Sequence, residues 1–402
     1  MRFLAYLALP LVLAIPAASA QTEAEVSPQD RLLHDRMIVL DTHLDTPARF
    51  DSGRWDFGAL HRYEWDVSQV DLPRMEQGGL DGGFFVIYTE QGEVSPEGYR
   101  LGRDAALVRA AAIHRVLGEN RDDIGLALTA DDAMRLLEAG KRVAFISIEN
   151  SWPLGDDLSM LSTFHRLGVR MAGPVHSRTN QLADSTTGEA RWNGLSPLGR
   201  QWVAEMNRLG MVIDVSHSSD AAFDQMLALS RVPIVASHSG PRAIFDHKRN
   251  LDDERMRRLA RAGGVMFVNS VFLVQHDNSE ERDAINARHE QWETLSAEER
   301  ARLLRDRAAL DARRAYTTAD FELFMRSLLH AVRVMGVDHV GLGADWDGGG
   351  GVIGMEDVSR LPRITARLRR EGFDEGDIAK ILGGNLLRVL RQVQRGAGPT
   401  AG

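Results

Sequence analysis

Short apolar runs alternate with amphipathic stretches along nearly the whole chain. The runs span 37–42, 82–89, 143–148, 169–175, 211–216, 233–237, 264–269 and 339–344. Each is a mainly apolar block closed by polar residues, the pattern of a strand buried on both faces. Between them lie segments with helical periodicity, among them 157–167, 197–209, 219–229 and 252–262. Ser196 before Pro197 marks a helix start, with proline at the first helical position. Gly168, Gly210 and Gly263 stand where such helices stop. Strands alternating with helices pair in parallel through crossovers. Eight such units closing on themselves predict an α/β fold, a (β/α)8 TIM barrel. The alternative is an open doubly wound sheet, but no Gly-x-Gly-x-x-Gly follows the first run.

The remaining segments set the domain plan. A short helix is expected over 30–36 and closing helices over 358–370 and 374–392. Two connections are long. Segment 44–69 should lie over the barrel mouth. Segment 270–318 is highly charged, with a helix expected over 297–315 whose surface faces solvent. No break divides the chain, so 30–395 reads as one catalytic domain, with a flexible tail at 396–402. At the other end, Arg2, the apolar stretch 3–15 and Ala18-Ser-Ala20 before Gln21 have the form of a secretory signal over 1–20. The polar lead 21–29 is expected to be disordered. The mature protein is therefore expected to be exported, periplasmic or secreted, with no membrane span after cleavage. The chain has no cysteine, which removes disulfides, Cys nucleophiles and Cys ligands alike. Its net charge is −9 and no basic patch stands out, which argues against nucleic acid as a partner.

In such a barrel the chemistry sits where the strands end. The first run ends in His43 and Asp45, two residues apart and so on one side of a strand. The third ends in Glu149, the fourth in His176, the fifth in His217, the sixth in His238 and the eighth in Asp345. Any one of these could be a capped strand end. Together they would crowd imidazoles and carboxylates into a mouth of low dielectric, at a cost that bound cations remove. His43, Asp45, Glu149, His217 and His238 exceed the needs of one tetrahedral zinc. The chain's lysines are Lys141, Lys248 and Lys380, and none falls at a strand end, so Glu149 is the available bridging ligand. This points to two Zn2+ ions, one on His43, Asp45 and Glu149, the other on Glu149, His217 and His238. Two such ions about 3.5–4 Å apart share a water and make it a hydroxide nucleophile. Asp345 suits the proton carrier and His176 the donor to an oxyanion, or else a neutral core histidine. Arg249 is placed to clamp a substrate carboxylate, whereas Arg242 reads as structural.

At these residues the chain resembles the renal (membrane) dipeptidase family, the M19 metallopeptidases. The resemblance runs from about residue 30 to 392. It rests on Asp41-Thr-His-Leu-Asp45, Glu149, His176-Ser-Arg-Thr-Asn180, Gly194-Leu-Ser-Pro-Leu-Gly199, Met211-Val-Ile-Asp-Val-Ser-His217, Ser237-His-Ser239, Arg249-Asn250 and Gly343-Ala-Asp-Trp-Asp-Gly348. It implies a binuclear zinc barrel of the metal-dependent hydrolase type that hydrolyses dipeptides, in some members with a D-residue at the C-terminal side. It further implies that Arg249 holds the C-terminal carboxylate, His176 assists at the scissile carbonyl and Asp345 is the acid/base, in a homodimer. Three departures bear on substrate preference. Asn150 follows Glu149 where glycine is common, segment 269–275 lacks the aromatic-Asn pattern of the mammalian members, and the charged insertion 277–314 is unlike them. Rival readings are a binuclear hydrolase for lactones, cyclic amides or phosphoesters, and a non-catalytic zinc- or peptide-binding barrel. The second of these would be expected to have lost a ligand or Asp345.

Overall fold

The computed structural model describes residues 26–51, 53–289 and 291–398; the expected signal segment lies outside them. The apolar runs form parallel strands: β1 (Leu40–Leu44), β2 (Gly82–Tyr88), β3 (Ile124–Leu126), β4 (Arg142–Glu149), β5 (Val169–Ala172), β6 (Val212–Ile213), β7 (Val235–Ser239), β8 (Val265–Val268) and β9 (Val340–Leu342). Their order is β6-β5-β4-β2-β1-β9-β8-β7, with β3 beside β4. Asp214, just past β6, makes a parallel bridge to Val235 of β7, and the Val215 N–H donates to the Val235 carbonyl at 2.8 Å. Eight strands thus form a nearly closed barrel with helices around it. The ninth, β3, has no counterpart among the apolar runs. It lies along the first half of β4, with Ile124 opposite Arg142, while β5 takes the second half, with Ile146 opposite Val169. Ile-Gly-Leu is too short a run to stand out by periodicity.

Alternation along β4 places Val143, Phe145, Ser147 and Glu149 on one face. Val143 and Phe145 pack with Leu40, Phe84, Met171, Val235 and Phe267 in a buried interior cluster. The helix Asn385–Arg395 adds Leu386, Leu390 and Val393 to that cluster and stops the barrel at the strands' N-terminal ends. Glu149 therefore stands above an apolar floor, at the opposite end of the barrel.

Several boundaries differ from expectation. The first helix is Pro28–His34, starting two residues before the expected position and inside the segment expected to be a disordered lead. Ser27 and Asp30 explain it: the Ser27 hydroxyl accepts from the Asp30 N–H at 3.1 Å and the Asp30 carboxylate accepts from the Ser27 N–H at 3.2 Å, a capping box. The connection after β1 packs on the outer face of β2, with Phe50 and Phe57 against Phe85 and Trp55 against those two rings, all three buried. Among the described residues no helix is long and apolar enough to cross a membrane.

In the charged insertion the expected helix is present, as Ala297–Arg313, with a mostly exposed surface; a second helix, Glu280–His289, and a small core were not expected. Ile285, Leu303 and Leu310 make a small core of their own, with Trp292 and Leu295 packed on it. Arg282 is buried and pairs with Asp311 at 2.7 Å and Asp277 at 3.3 Å. The Arg307 guanidinium lies 4.8 Å over the ring of Tyr63 and so ties the insertion to the connection after β1. His289 stacks on Trp292 at 5.7 Å, and both of its ring nitrogens are buried without a hydrogen-bond partner among the described residues.

Burial, followed by the nearby Arg307 and Arg49, pushes His289 down from 6.5 to about 4. Between those values the unfolded chain binds a proton that the folded insertion refuses, so stability falls as pH falls from 6.5 toward about 4. The loss is at most about 3 kcal/mol, and less to the extent that solvent screens the ring. His289→Phe should make the thermal midpoint less sensitive to acidification between about pH 7 and about pH 5. An unchanged sensitivity contradicts the assignment.

Candidate metal centre

The side chains at the strand ends are aimed by an unusual backbone. Asn150, His217, Asp345 and Asp347 have φ of 65°, 67°, 69° and 63°. Left-handed non-glycine residues are uncommon, and they gather at functional sites. At Asn150 this accounts for the departure from glycine, since asparagine is among the few residues that tolerate the conformation. Its Oδ1 accepts from Trp152 N and Asn180 Nδ2, each at 3.2 Å, which fixes the turn after Glu149.

Glu149 is the meeting point. Its Oε1 lies 2.9 Å from His217 Nε2 and 3.3 Å from His238 Nε2, while its Oε2 faces His43 Nε2 at 3.7 Å. His43 Nε2 is also 3.2 Å from Asp45 Oδ2. His176 Nε2 stands 4.0 Å from Glu149 Oε1. Donor atoms converge in three overlapping groups: His43 with Glu149 and His238; Glu149 with His176 and His217; and His43 with Asp45 and Asp345. These groups cut across the two shells expected from sequence and draw in His176 and Asp345. The division of the two Glu149 oxygens nevertheless separates a His43 side from a His217–His238 side.

Residues that the strand-end reading passes over hold this arrangement. Asp214 Oδ1 accepts from the N–H groups of Ser216 (3.0 Å) and Ser237 (2.8 Å), and its Oδ2 accepts from the Ser237 hydroxyl at 2.6 Å. The Ser237 hydroxyl has then given its one proton away. It can only accept from His238 Nδ1, 2.8 Å distant, which leaves a bare lone pair on His238 Nε2. Asp41 does comparable work between β1 and β9, accepting from His43 N at 2.8 Å and Ala344 N at 3.0 Å. Both are aspartates inside apolar runs, and that placement is the signal a sequence offers. Gly348 has a steric role: a Cβ there would collide with the carboxylates of Asp45 and Asp345.

The electrostatics show a set of groups in conflict. Burial, then Arg249 and His176, hold His217 well below the ordinary imidazole range; burial, then His43, does the same to His238. Burial would also lower His43, but Asp45 and Glu149 lift it well above that range. Burial would raise Glu149, yet His176, His43 and His217 pull it well below the carboxylate range. Burial, Asp45 and Glu149 push Asp345 well above it, against the pull of His43. His217 and His238 face each other Nε2 to Nε2 at 2.9 Å, and His238 has no proton there to offer. The Nδ1 atoms of His43 and His217 are buried without partners among the described residues. Neutral imidazoles and carboxylates converging on shared points fit a borderline divalent cation such as zinc.

The substrate side is different in character. The His176 side chain is 28% exposed, against 8% or less for the other three histidines, so it borders the open mouth. Its Nδ1 is 2.9 Å from Ser177 Oγ, and Tyr88 meets its ring at 4.9 Å. Arg249 is buried. Its guanidinium lies 4.9 Å over Phe272, and Nη2 donates to the His238 carbonyl at 3.3 Å. Its Nε is buried without a partner, and among the described residues no carboxylate pairs with it. Burial lowers it to about 10, so it stays protonated at neutral pH. Arg242 instead pairs with Asp220 at 3.3 Å and donates to the Asn250 carbonyl at 3.0 Å, a structural role.

Comparisons with known proteins identify the family. Among curated relatives, dipeptidase tcpJ of Claviceps purpurea is 32% identical over 334 residues, covering 82% of this chain and 70% of the relative. Among solved structures, the probable dipeptidase PvdM from Pseudomonas aeruginosa superposes with a TM-score of 0.79 at 31% identity, covering 92% of this chain and 99% of that one. A metallo peptidase from Rhodobacter sphaeroides, liganded with a phosphinate mimic of the dipeptide L-Ala-D-Ala, gives a TM-score of 0.71 at 25% identity, covering 89% and 99%. The family model for membrane dipeptidases matches residues 28–401. The chain thus belongs to the membrane dipeptidase family, peptidase family M19.

Proposed function

We propose that this protein is a dipeptidase that hydrolyses the peptide bond of dipeptides, including those with a D-residue at the C-terminal side. One observation carries the reading: Arg249 is a buried guanidinium beside the ligand cluster with no carboxylate of the described residues to pair with it. A buried charge left in this way calls for an anion from outside. A planar fork matches a free carboxylate two bonds at a time. A dipeptide places that carboxylate one residue from its scissile bond. The names of the relatives, and the phosphinate dipeptide mimic on the Rhodobacter sphaeroides structure, support the same substrate class.

Two Zn2+ ions, held by His43, Asp45 and Glu149 and by Glu149, His217 and His238, would supply an acidified water and a Lewis acid for the carbonyl. The protein's own groups do the rest. Asp345 takes a proton as the water oxygen bonds to the carbonyl carbon. It returns that proton to the nitrogen as the C–N bond breaks, releasing an amine and a carboxylate. His176, at the open edge of the cluster, donates to the oxygen that becomes negative. By holding the carboxylate, Arg249 fixes where the peptide bond sits relative to Asp345 and His176.

Purified protein loaded with zinc and given L-Xaa-L-Xaa and L-Xaa-D-Xaa dipeptides should release free amino acids. No release from any of them sinks the proposal. Asp345→Asn should keep the metal content of the wild type and lose about 10²–10⁴-fold in kcat. Survival of turnover removes Asp345 from proton transfer. Arg249→Met should raise KM for free dipeptides by about 10²-fold, a loss of about 3 kcal/mol. It should also abolish the preference over their C-terminal amides. A retained preference places the carboxylate elsewhere.

A further inference from the structure

Tyr316 leaves the charged insertion and returns the chain to the barrel. Its carbonyl accepts from the Asp277 N–H at 3.0 Å, which pinches the two ends of the insertion together. Its ring is held between neighbours, 4.7 Å from the His276 ring and 5.7 Å from the Arg282 guanidinium. Its hydroxyl points to the loop after β9. A Cβ built on Gly349 would stand 3.5 Å from that oxygen, and Gly349 adjoins Gly348, the residue pressed against the carboxylates of Asp45 and Asp345. Among the described residues the hydroxyl has no hydrogen-bond partner, and the side chain is half-buried, so its oxygen is open to a partner from outside. Burial, then Tyr63 and Asp345, push it up to about 12, so it keeps its proton and can donate.

We propose that Tyr316 is a specificity-determining residue whose hydroxyl hydrogen-bonds the side chain of the substrate's N-terminal residue. This rests on the dipeptidase reading. The end is assigned by charge: the C-terminal carboxylate goes to Arg249, beyond β7, so the other residue of the dipeptide extends toward the acidic side at Asp345, where Tyr316 lies. The insertion thereby takes part in reading the substrate.

Isosteric pairs test this. kcat/KM is measured for Thr-Gly against Val-Gly and Asn-Gly against Leu-Gly, and for Gly-Thr against Gly-Val, with wild type and Tyr316→Phe. Zinc content and circular dichroism on the same samples establish that the variant is folded and loaded. In Tyr316→Phe the polar-to-apolar ratio should fall about three- to tenfold for the N-terminal pairs, the worth of one hydrogen bond, and stay unchanged for the C-terminal pair. A ratio unchanged at both ends overturns the proposal. A fall confined to Gly-Thr against Gly-Val overturns the assignment of the end. A wild type that cleaves none of these peptides overturns the dipeptidase reading and this inference with it, an outcome distinct from cleavage with unaltered ratios.

Discussion

The structure depends on one buried carboxylate. Glu149 sits at the end of β4, above an apolar floor, with His43, His176, His217 and His238 all within 4.0 Å of its oxygens. A carboxylate in that position is costly unless charge surrounds it. The imidazoles could provide it only by holding protons that burial denies to His217 and His238. Cations satisfy the carboxylate and the nitrogen lone pairs together. The fold supplies the geometry: strands running the same way end on one rim, so residues far apart in the chain meet at one carboxylate.

Precision comes from groups that touch no substrate. Asp214 is used three times: it lines the seam between β6 and β7, binds the backbone of Ser216 and Ser237, and sets the His238 tautomer through the Ser237 hydroxyl. Asp41 links the ends of β1 and β9, and so places His43 and Asp345 relative to each other. The left-handed turns at Asn150, His217 and Asp345 cost conformational energy that the surrounding packing absorbs.

Much of this is legible in the sequence, for a physical reason. A strand buried on both faces must be apolar throughout, so an ionisable residue at its end is conspicuous, and all the proposed ligands lie at such ends. What escapes reading does so for equally physical reasons. β3 is too short to show a period. Asp41 and Asp214 look like ordinary polar breaks until their backbone partners are seen. The insertion looks solvated by composition, because Arg282 is buried by pairing with Asp277 and Asp311, and pairing cannot be seen in a list of charges. Asn150 is a departure from pattern in letters alone; its φ of 65° shows it meeting the same backbone demand as glycine.

The central claim is that Glu149 joins two cations. Anomalous diffraction from crystals of the zinc-loaded protein tests it most directly. The account predicts two metal peaks per chain, one between Glu149 Oε1 and the His217–His238 pair, the other between Glu149 Oε2 and the His43–Asp45 pair. A single peak, or two peaks that leave Glu149 uncoordinated, would contradict it.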